Sequence, residues 1–587
     1  MNHSYPVYTV ETECQDCYKC VRHCPVKAIK VKDGHATVMP ELCVACGRCV
    51  EVCPAKAKRV RSDVGRARHL IETGDGKVYA ALAPSWISEF KHLEAGKMIA
   101  ALRKLGFAGV SETALGAQAV SAAVAKSLDG MKKGVMISSA CPVAVDYICK
   151  YLPEFSGTIT KVLSPALAHC RILRERFGDD IKVIFIGPCI AKKNEADRHP
   201  ELLNLTLTYP ELRQWLAESG IVLDQMMPGA EDVFVPEPAR EGAVYPIEGG
   251  MIETIKAYRG GKDQVNYASV TGLDNIQKAF SGLLPENVDA PVFIETLACA
   301  GGCVHGPCTE HDSPGLLERL RIMTKVTMPD HPTQTGEGAD IEEDFNEERV
   351  TVKTPSLQEV KAALRSIGKF SQEDELNCGG CGYNTCRNFA MALIDGRAEP
   401  SMCVSYLRKQ AQKKANAILR CIPSGVVLVD QDLNVIECNK RFAVTFGEDT
   451  LAAFEAKPGL AGADLRRIVP FGDLFETALK TGEDLQRDAL KVDRRLFSIT
   501  IFNIEPHRVV GAVIFDVTQT EMRRELIAER ARKVINKNLE TVQEIACRLG
   551  EHMAETEMLL RSIADDYADD NIMADKVIVK EEDDSRP

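Results

Sequence analysis

The chain has 587 residues, of which 45% are hydrophobic and 27% charged, and its formal net charge is −12 at pH 7. That length exceeds what one hydrophobic core holds, so we expect several domains. The negative charge argues against a nucleic-acid-binding protein, because such proteins need basic surface to replace counterions. With no apolar stretch of membrane-spanning length and no signal-peptide core, the sequence predicts a cytoplasmic protein.

Residues 1–62 are predicted to form a module with two 4Fe–4S clusters. The spacing C-x2-C-x2-C-x3-C-P occurs twice, once at Cys14, Cys17, Cys20 and Cys24 and again at Cys43, Cys46, Cys49 and Cys53. In such a repeat, three cysteines of each run bind one cluster and the fourth binds the other, so Cys53 completes the first cluster and Cys24 the second. Paired zinc sites are the alternative. The repeat resembles a bacterial two-cluster ferredoxin, which implies electron transfer without bond chemistry.

Residues 70–330 are predicted to form an α/β domain. Apolar runs such as KVYAALAPS (77–85) and KVIFIGPC (182–189) are typical of buried strands that end in loops. Segments of helical spacing, such as KMIAALRKLG (97–106), lie between them. Strand–helix alternation of this kind places functional residues in the loops at the strand ends.

Residues 331–370 are acidic and polar and are predicted to be a linker. Residues 371–412 contain four cysteines around a Gly-rich turn and a short helix, which suits one further 4Fe–4S cluster, with zinc as the rival. The segment resembles a small iron–sulfur domain found in several redox proteins. Its predicted ligands are Cys378, Cys381, Cys386 and Cys403.

Residues 415–518 resemble a PAS domain, a sensor fold that passes signals to a following helix. Asn439 and Phe442 match the strand-to-helix motif of that fold. A helix is predicted over 519–564, with apolar residues spaced by sevens, such as Val542 and Leu549, that favour a dimerising coiled coil. Packing of this helix on its own PAS domain is the alternative. The acidic tail, 565–587, is predicted to be disordered.

Four isolated cysteines in the central domain each lie in a tight loop that follows an apolar run. They are Cys141 in SSACP, Cys189 in GPCIAKKNEADR, and Cys299 and Cys303 in ETLACAGGC. Thiolates brought together from such loops could hold another 4Fe–4S cluster.

These three motifs resemble the signature loops of iron–iron hydrogenases over residues 76–310, with the ferredoxin-like module preceding them as in many members. The resemblance implies an H-cluster: a 4Fe–4S cube joined through one cysteine to a two-iron unit with carbonyl, cyanide and azadithiolate ligands. It implies that the four cysteines hold the cube and that Cys303 bridges to the two-iron unit. Lys192 is then expected to contact one cyanide, Pro84 and Ser85 to face the other, and Glu195 to close the second motif.

The sequence departs from the catalytic pattern of that family at the residue before Cys141. Active members have a cysteine there that passes protons, whereas this chain has Ala140, whose methyl group neither donates nor accepts a proton. The family's methionines in the second and third motifs are replaced by Gly187 and Leu297. Cys308 and His305 are weaker candidates for a substitute route.

Four cysteines that can hold the cofactor, together with Ala140 in place of the proton-carrying cysteine, resemble the pattern of the sensory members of the family. The sequence therefore predicts slow, reversible H2 oxidation, with the redox state passed through iron–sulfur clusters to the PAS domain and its helix. The predicted partners are H2 and protons, a redox partner such as ferredoxin, and an output protein such as a kinase or phosphatase; we also expect a homodimer. The alternatives are a metabolic ferredoxin-linked hydrogenase and a 4Fe–4S scaffold protein that lacks the two-iron unit.

Overall fold

The computed structural model describes residues 5–260, 264–310, 314–326, 339–351 and 355–567. The chain divides into two compact units, Met1–Arg408 and Lys409–Pro587. The part of the predicted acidic tail beyond residue 567 lies outside the described residues. In the described ranges, none of the helices has both the length and the apolarity that a bilayer span requires.

The first unit contains short antiparallel strand pairs and two parallel sheets, joined by helices. Its strands are β1 (Val7–Thr9), β2 (Ile29–Lys32), β3 (His35–Val38), β4 (Lys58–Val60), β5 (Val78–Leu82), β6 (Gly109–Glu112), β7 (Gly134–Ile137), β8 (Lys182–Gly187), β9 (Leu205–Thr208), β10 (Asn266–Thr271) and β11 (Pro291–Leu297). Its helices are α1 (Lys19–His23), α2 (Arg48–Glu51), α3 (Val64–Thr73), α4 (Trp86–Glu89), α5 (Ala95–Lys104), α6 (Ala114–Ser127), α7 (Pro142–Tyr151), α8 (Pro165–Phe177), α9 (Ala191–Arg198), α10 (Tyr209–Glu218), α11 (Gly250–Arg259), α12 (Leu273–Phe280), α13 (Gly315–Lys325), α14 (Leu357–Ser366) and α15 (Cys386–Ile394), followed by α16 (Val404–Cys421) at the boundary.

The central α/β region has two separate parallel sheets. One has the strand order β6-β5-β8-β9 and the other the order β10-β11-β7. In the first, Leu82 of β5 is aligned with Ile186 of β8; in the second, Ile294 of β11 is aligned with Ile137 of β7. Side chains of the first sheet alternate between two hydrophobic cores, since Phe185 belongs to one core and Ile186 to the other. This burial on both faces explains the continuous apolar runs in the sequence.

The N-terminal module and the segment around α15 share one hydrophobic core. Val21 and Ile29 pack in the same buried cluster as Phe389 and Met402. The amide of Val31 donates to the carbonyl of Arg397 at 2.9 Å. Segments that lie more than 350 residues apart in the chain therefore fold together.

Within the predicted linker 331–370, the chain forms the helix α14 near the end of the segment. Ser356 caps this helix, because its hydroxyl accepts from the amide of Glu359, whose carboxylate accepts from the amide of Ser356. Val360 and Leu364 are buried in the core shared with α15. The apolar spacing of this short amphipathic helix was masked by the acidic residues before it.

The second unit is a five-stranded antiparallel sheet with helices. Its strands are β12 (Gly425–Asp430), β13 (Val435–Cys438), β14 (Leu485–Val492), β15 (Arg495–Glu505) and β16 (Val509–Asp516), in the order β13-β12-β16-β15-β14. Its further helices are α17 (Lys440–Thr445), α18 (Glu448–Ala456), α19 (Gly472–Thr481) and α20 (Thr518–Tyr567). The core contains packed phenylalanines, among them Phe442 and Phe446, whose ring centroids lie 4.9 Å apart.

Asn439 ties α17 to the strands around it. Its side-chain oxygen accepts from the amides of Val426 and Phe442, both at 2.9 Å, and its side-chain nitrogen donates to the carbonyls of Leu419 and Ser424. The predicted helix over 519–564 corresponds to α20. Val542 and Leu549 on this helix are 61% and 57% exposed.

Candidate metal centre

The four candidate cysteines of the central domain line one cavity, and about 850 Å³ in and around its open mouth is not filled by protein atoms. Cys189 follows β8 of one sheet, whereas Cys141, Cys299 and Cys303 follow β7 and β11 of the other. Because the strands of each sheet are parallel, their carboxyl ends present these loops together. Residues from all three hydrogenase-like motifs thus converge at one place.

Local backbone structure constrains the loops that carry Cys141, Cys299 and Cys303. Cys141 precedes Pro142, the first residue of α7, where proline suits the fixed backbone of a helix start. Between Cys299 and Cys303, Gly302 has φ of 107°, and a Cβ there would lie 2.3 Å from the carbonyl oxygen of Pro246. Only glycine fits this turn, so the small residues of ETLACAGGC are explained by close backbone packing.

Burial raises the pKa of all four thiols, and neighbouring thiols raise the pKa of Cys189, Cys299 and Cys303 further. The pKa of Cys189 rises to about 11. Amides of Val143, Ala144 and Ala298 oppose this effect at Cys141. Thiolates crowded in an apolar cavity need positive charge close by, which bound iron supplies. The donor set therefore fits an iron–sulfur centre.

Lys192 lines the cavity and is the cationic side chain among its described lining residues. Its ammonium donates to Glu195 Oε2 at 2.6 Å and to Ser164 Oγ at 2.9 Å. Glu195 therefore contacts Lys192 and does not line the cysteine cavity. Ser164, which caps α8, gave no signal in the sequence.

The neighbouring Lys193 has a different position. Its side chain is fully buried and its ammonium lies 2.9 Å from both Asp63 Oδ2 and Glu211 Oε2. The two lysines of AKK thus separate into one at the cavity and one in a buried ion cluster, as expected for neighbours on a helix that face different directions.

Pro84, Ser85 and Ala140 all line the cysteine cavity. Ser85 Oγ shares a 2.6 Å hydrogen bond with the hydroxyl of the buried Tyr209, a residue that sequence reasoning missed. The amide of Ala140 donates to Ser138 Oγ at 3.1 Å. The wall beside Cys141 therefore presents a methyl group where the related pattern has a thiol.

The two positions without the family's methionines differ in their surroundings. A Cβ on Gly187 would lie 2.6 Å from the ring of Phe185, so aromatic carbon fills the adjacent space. Leu297 and Phe185 both line the cavity. Cys308 and His305 are not among its lining residues, so their place in a proton route has no support from this geometry.

The N-terminal cysteines form a second group. Cys24, Cys43, Cys46 and Cys49 line one cavity with about 340 Å³ of unfilled space. Cys14 and Cys17 are close enough to Cys20 to raise its pKa, although burial is the larger cause. Cys53 follows the end of α2, and its amide donates to the carbonyl of Val50 at 3.4 Å. Cys46 is near enough to Cys299 to raise the pKa of Cys299. The cavity lined by Cys24, Cys43, Cys46 and Cys49 therefore lies beside the central cysteine cavity.

The third group lies around α15. Burial raises the pKa of Cys381, and the nearby Cys403 and Cys378 raise it further. The amide of Cys386 donates to Asn377 Oδ1 at 2.8 Å. Lys27 lies close enough to Cys24 and Cys381 for both thiols to raise its pKa, although burial, the larger cause, lowers it. The ammonium of Lys27 donates to the carbonyl of Gly382 at 2.8 Å. Among the described residues, no group of three or more His, Cys, Asp or Glu is spaced to hold a single metal ion.

This fold and these thiol groups define an iron–sulfur redox protein. Comparison with known families specifies its domains. Residues 76–307 match the model of the iron only hydrogenase large subunit, C-terminal domain, and residues 6–54 match a 4Fe-4S dicluster domain. Residues 374–405 match an Fe-S cluster domain and residues 414–486 a PAS domain. The chain thus contains an iron-only hydrogenase domain joined to iron–sulfur domains and a PAS domain.

The chain is also similar to individual hydrogenases. The chain is 29% identical over 379 residues to the periplasmic [Fe] hydrogenase large subunit of Nitratidesulfovibrio vulgaris, covering 54% of this chain and 89% of the relative. It is 25% identical over 318 residues to iron hydrogenase 1 of Clostridium pasteurianum, covering 45% of this chain and 55% of the relative. A solved variant of [FeFe]-hydrogenase HydA1 from Chlamydomonas reinhardtii aligns at 18% identity over 49% of this chain and all of that chain, with a TM-score of 0.38.

Proposed function

We propose that the protein is a hydrogen sensor of the iron–iron hydrogenase type, with slow reversible H2 oxidation and proton reduction. The observation that carries the proposal is the cavity in which four thiols and Lys192 converge while Ala140 occupies the place of a proton-carrying cysteine. Sensing needs binding of H2 and a change of redox state, whereas rapid turnover also needs rapid proton transfer.

In this proposal Cys141, Cys189, Cys299 and Cys303 hold a 4Fe–4S cube, and Cys303 joins it to a two-iron unit with carbonyl, cyanide and azadithiolate ligands. That group supplies the chemistry of hydrogen when bound. The chain's own residues would bind and orient it: Lys192 would offer positive charge to one cyanide, and Pro84 and Ser85 would face the other. Tyr209 fixes the hydroxyl of Ser85.

Electrons would leave through the clusters of the 1–62 module and through the cluster of Cys378, Cys381, Cys386 and Cys403. The shared core of these two segments supports this order of transfer. Cys403 directly precedes α16, which continues into the second unit. A change of charge at that cluster would act on the positive end of this helix, because a helix N-terminus favours negative charge.

The signal would then pass through the 415–518 PAS domain and α20 to an output protein such as a kinase or phosphatase. Asn439 supports this step, because its side chain joins Leu419 of α16 to the start of α17. The exposed apolar residues of α20 could pack against the same helix of a second copy, which is consistent with a homodimer. We also propose a cytoplasmic location, where a reducing environment keeps cysteine ligands available.

Infrared spectroscopy of the protein after maturation, under H2 and under inert gas, tests the proposal. We expect carbonyl and cyanide bands that shift with H2, together with slow gas turnover. Iron without such bands would support the scaffold alternative, and fast turnover would support a metabolic hydrogenase.

A further inference from the structure

A second cavity adjoins the residues that hold Lys192. Ser164 and Glu195, the two hydrogen-bond partners of Lys192, line this cavity, and Pro142 lines both cavities. About 780 Å³ in and around its open mouth is not filled by protein atoms. Unlike the cysteine cavity, it is surrounded by acidic and basic side chains, so ordered water could occupy it and bridge them.

Exposure increases stepwise along the ionisable groups of this cavity. The side chain of Glu195 is 7% exposed, that of Glu343 is 18% exposed and that of His199 is 28% exposed. His199 Nε2 lies 3.3 Å from Glu343 Oε1, and His199 Nδ1 lies 3.5 Å from Glu201 Oε1 at the surface. These groups form a graded series from the partner of Lys192 to solvent.

Burial of Glu343 favours proton uptake there. Burial raises its pKa, and the carboxylate of Glu195 raises it further, against opposing effects of His199, Lys192 and Arg198. Two other carboxylates of the cavity are Asp146, which is held by two bonds from Arg198, and Glu348. The remaining pair, Asp344 with Lys161, is largely exposed to water.

We propose that Glu195, Glu343 and His199 form a proton-uptake site that is coupled to reduction of the metal centre in the cysteine cavity. This inference rests on the proposed function, because it requires a reducible group beside Lys192. It assigns a positioning role to residues that do not touch the reacting atoms.

The coupling follows from charge balance. An electron delivered by a low-potential iron–sulfur donor adds one negative charge to an apolar cavity, where an uncompensated charge is costly. Lys192 offers limited compensation while its charge is shared with the Glu195 carboxylate. One proton from solvent, passed through His199, converts the Glu343 carboxylate to the acid and removes a negative charge that acts on both Lys192 and Glu195, so that more of the charge of Lys192 is left to the cavity. One electron and one proton enter together, so the net charge of the two cavities is unchanged.

A redox titration of the matured protein tests the inference, with the midpoint potential followed through the carbonyl and cyanide bands at several pH values. A tenfold change in proton concentration corresponds to about 59 mV for a one-electron couple, so full coupling gives that slope per pH unit. We expect Glu195→Gln and Glu343→Gln each to lose at least half of the wild-type slope. Glu342→Gln is the matched control, because Glu342 is an exposed neighbour that does not line the cavity.

A second measurement does not depend on activity or on a slope. The infrared difference spectrum between oxidised and reduced protein should contain a carboxylic acid C=O band that is missing in Glu343→Gln and retained in Glu342→Gln. If Glu195→Gln fails to fold, Glu343→Gln and His199→Gln still decide the question, because both positions are partly exposed. Normal cofactor bands with the same slope in all variants would overturn this inference alone; absent carbonyl and cyanide bands in the wild type would overturn the proposed function and this inference with it.

Discussion

Replacing Lys193 by methionine should destabilise the first unit strongly, although Lys193 does not line the cysteine cavity. Its ammonium is fully buried and pairs with Asp63 and Glu211, and it donates to the carbonyl of Thr206 at 2.9 Å. Breaking a buried ion pair by removing one partner costs about 3–5 kcal/mol, since the remaining charge stays buried.

The structure places the expected cost at the lower end of this range. Asp63 keeps Arg66 at 2.8 Å, and Glu211 still accepts from the amides of Asp63 and Thr208. A loss of about 3 kcal/mol corresponds to roughly a hundredfold increase in the transiently opened population. Native-state proteolysis measures that population when opening and closing are fast relative to cleavage.

The sign of the pH dependence gives a second readout. Burial acts to raise the pKa of Asp63, but Lys193, Arg61 and Arg66 outweigh it, so the folded pKa lies below its usual value. The resulting stabilisation is present above the unfolded pKa and is lost as the pH falls through the folded pKa. Lys193→Met should therefore show a smaller loss of stability on acidification than the wild type.

Two comparisons control for the loss of a lysine as such. Lys126→Met, at an exposed position on α6, should change stability by less than about 0.5 kcal/mol. The double variant Lys193→Met, Glu211→Gln should recover part of the loss, because one uncompensated charge is removed with its partner. A Lys193→Met protein that is cleaved at the wild-type rate would refute the assignment of this ion cluster.

Three further predictions concern other parts of the molecule. Ala140→Cys should raise H2 turnover of the matured protein, by about a hundredfold if the thiol restores proton transfer; an unchanged rate would contradict the role assigned to Ala140. Burial lowers the pKa of His169 to about 3, below the unfolded value near 6.5. The free energy of unfolding should therefore decrease as the pH falls from about 6.5 toward 3, because only the unfolded state takes up this proton, and His169→Gln should flatten this part of a stability–pH curve. Asn439→Ala should lower the free energy of unfolding of the second unit by about 2 kcal/mol, because several buried backbone groups lose their hydrogen-bond partner. An unaltered melting transition in calorimetry would exclude that account.

Much of the domain organisation could be predicted from the sequence. Cysteine spacing indicated the iron–sulfur modules, and the matched domain families agree with them. Continuous apolar runs indicated buried strands, and the structure has these runs in two parallel sheets. Spacing carries no information on which sheet a strand joins, so the division of the site between β8 of one sheet and β7 and β11 of the other needed the structure.

Side-chain partners outside the motifs were beyond the reach of the sequence. Lys192 and Lys193 are identical neighbours, and only tertiary packing distinguishes the cavity lysine from the buried one. Glu343 lies in an acidic segment that resembles a solvated linker, yet it pairs with His199. In both cases, the chemistry of the residue depends on contacts with distant elements.

The core shared by Val21 and Phe389 has a consequence for synthesis of the chain. A ribosome must translate nearly four hundred residues before the N-terminal module meets the segment that covers it. Pairing across such a sequence distance is slow, and the uncovered surface is prone to aggregation. Shortened versions that stop before residue 374 should therefore expose this surface, and iron delivery to the first eight cysteines can begin while their covering segment is still being made.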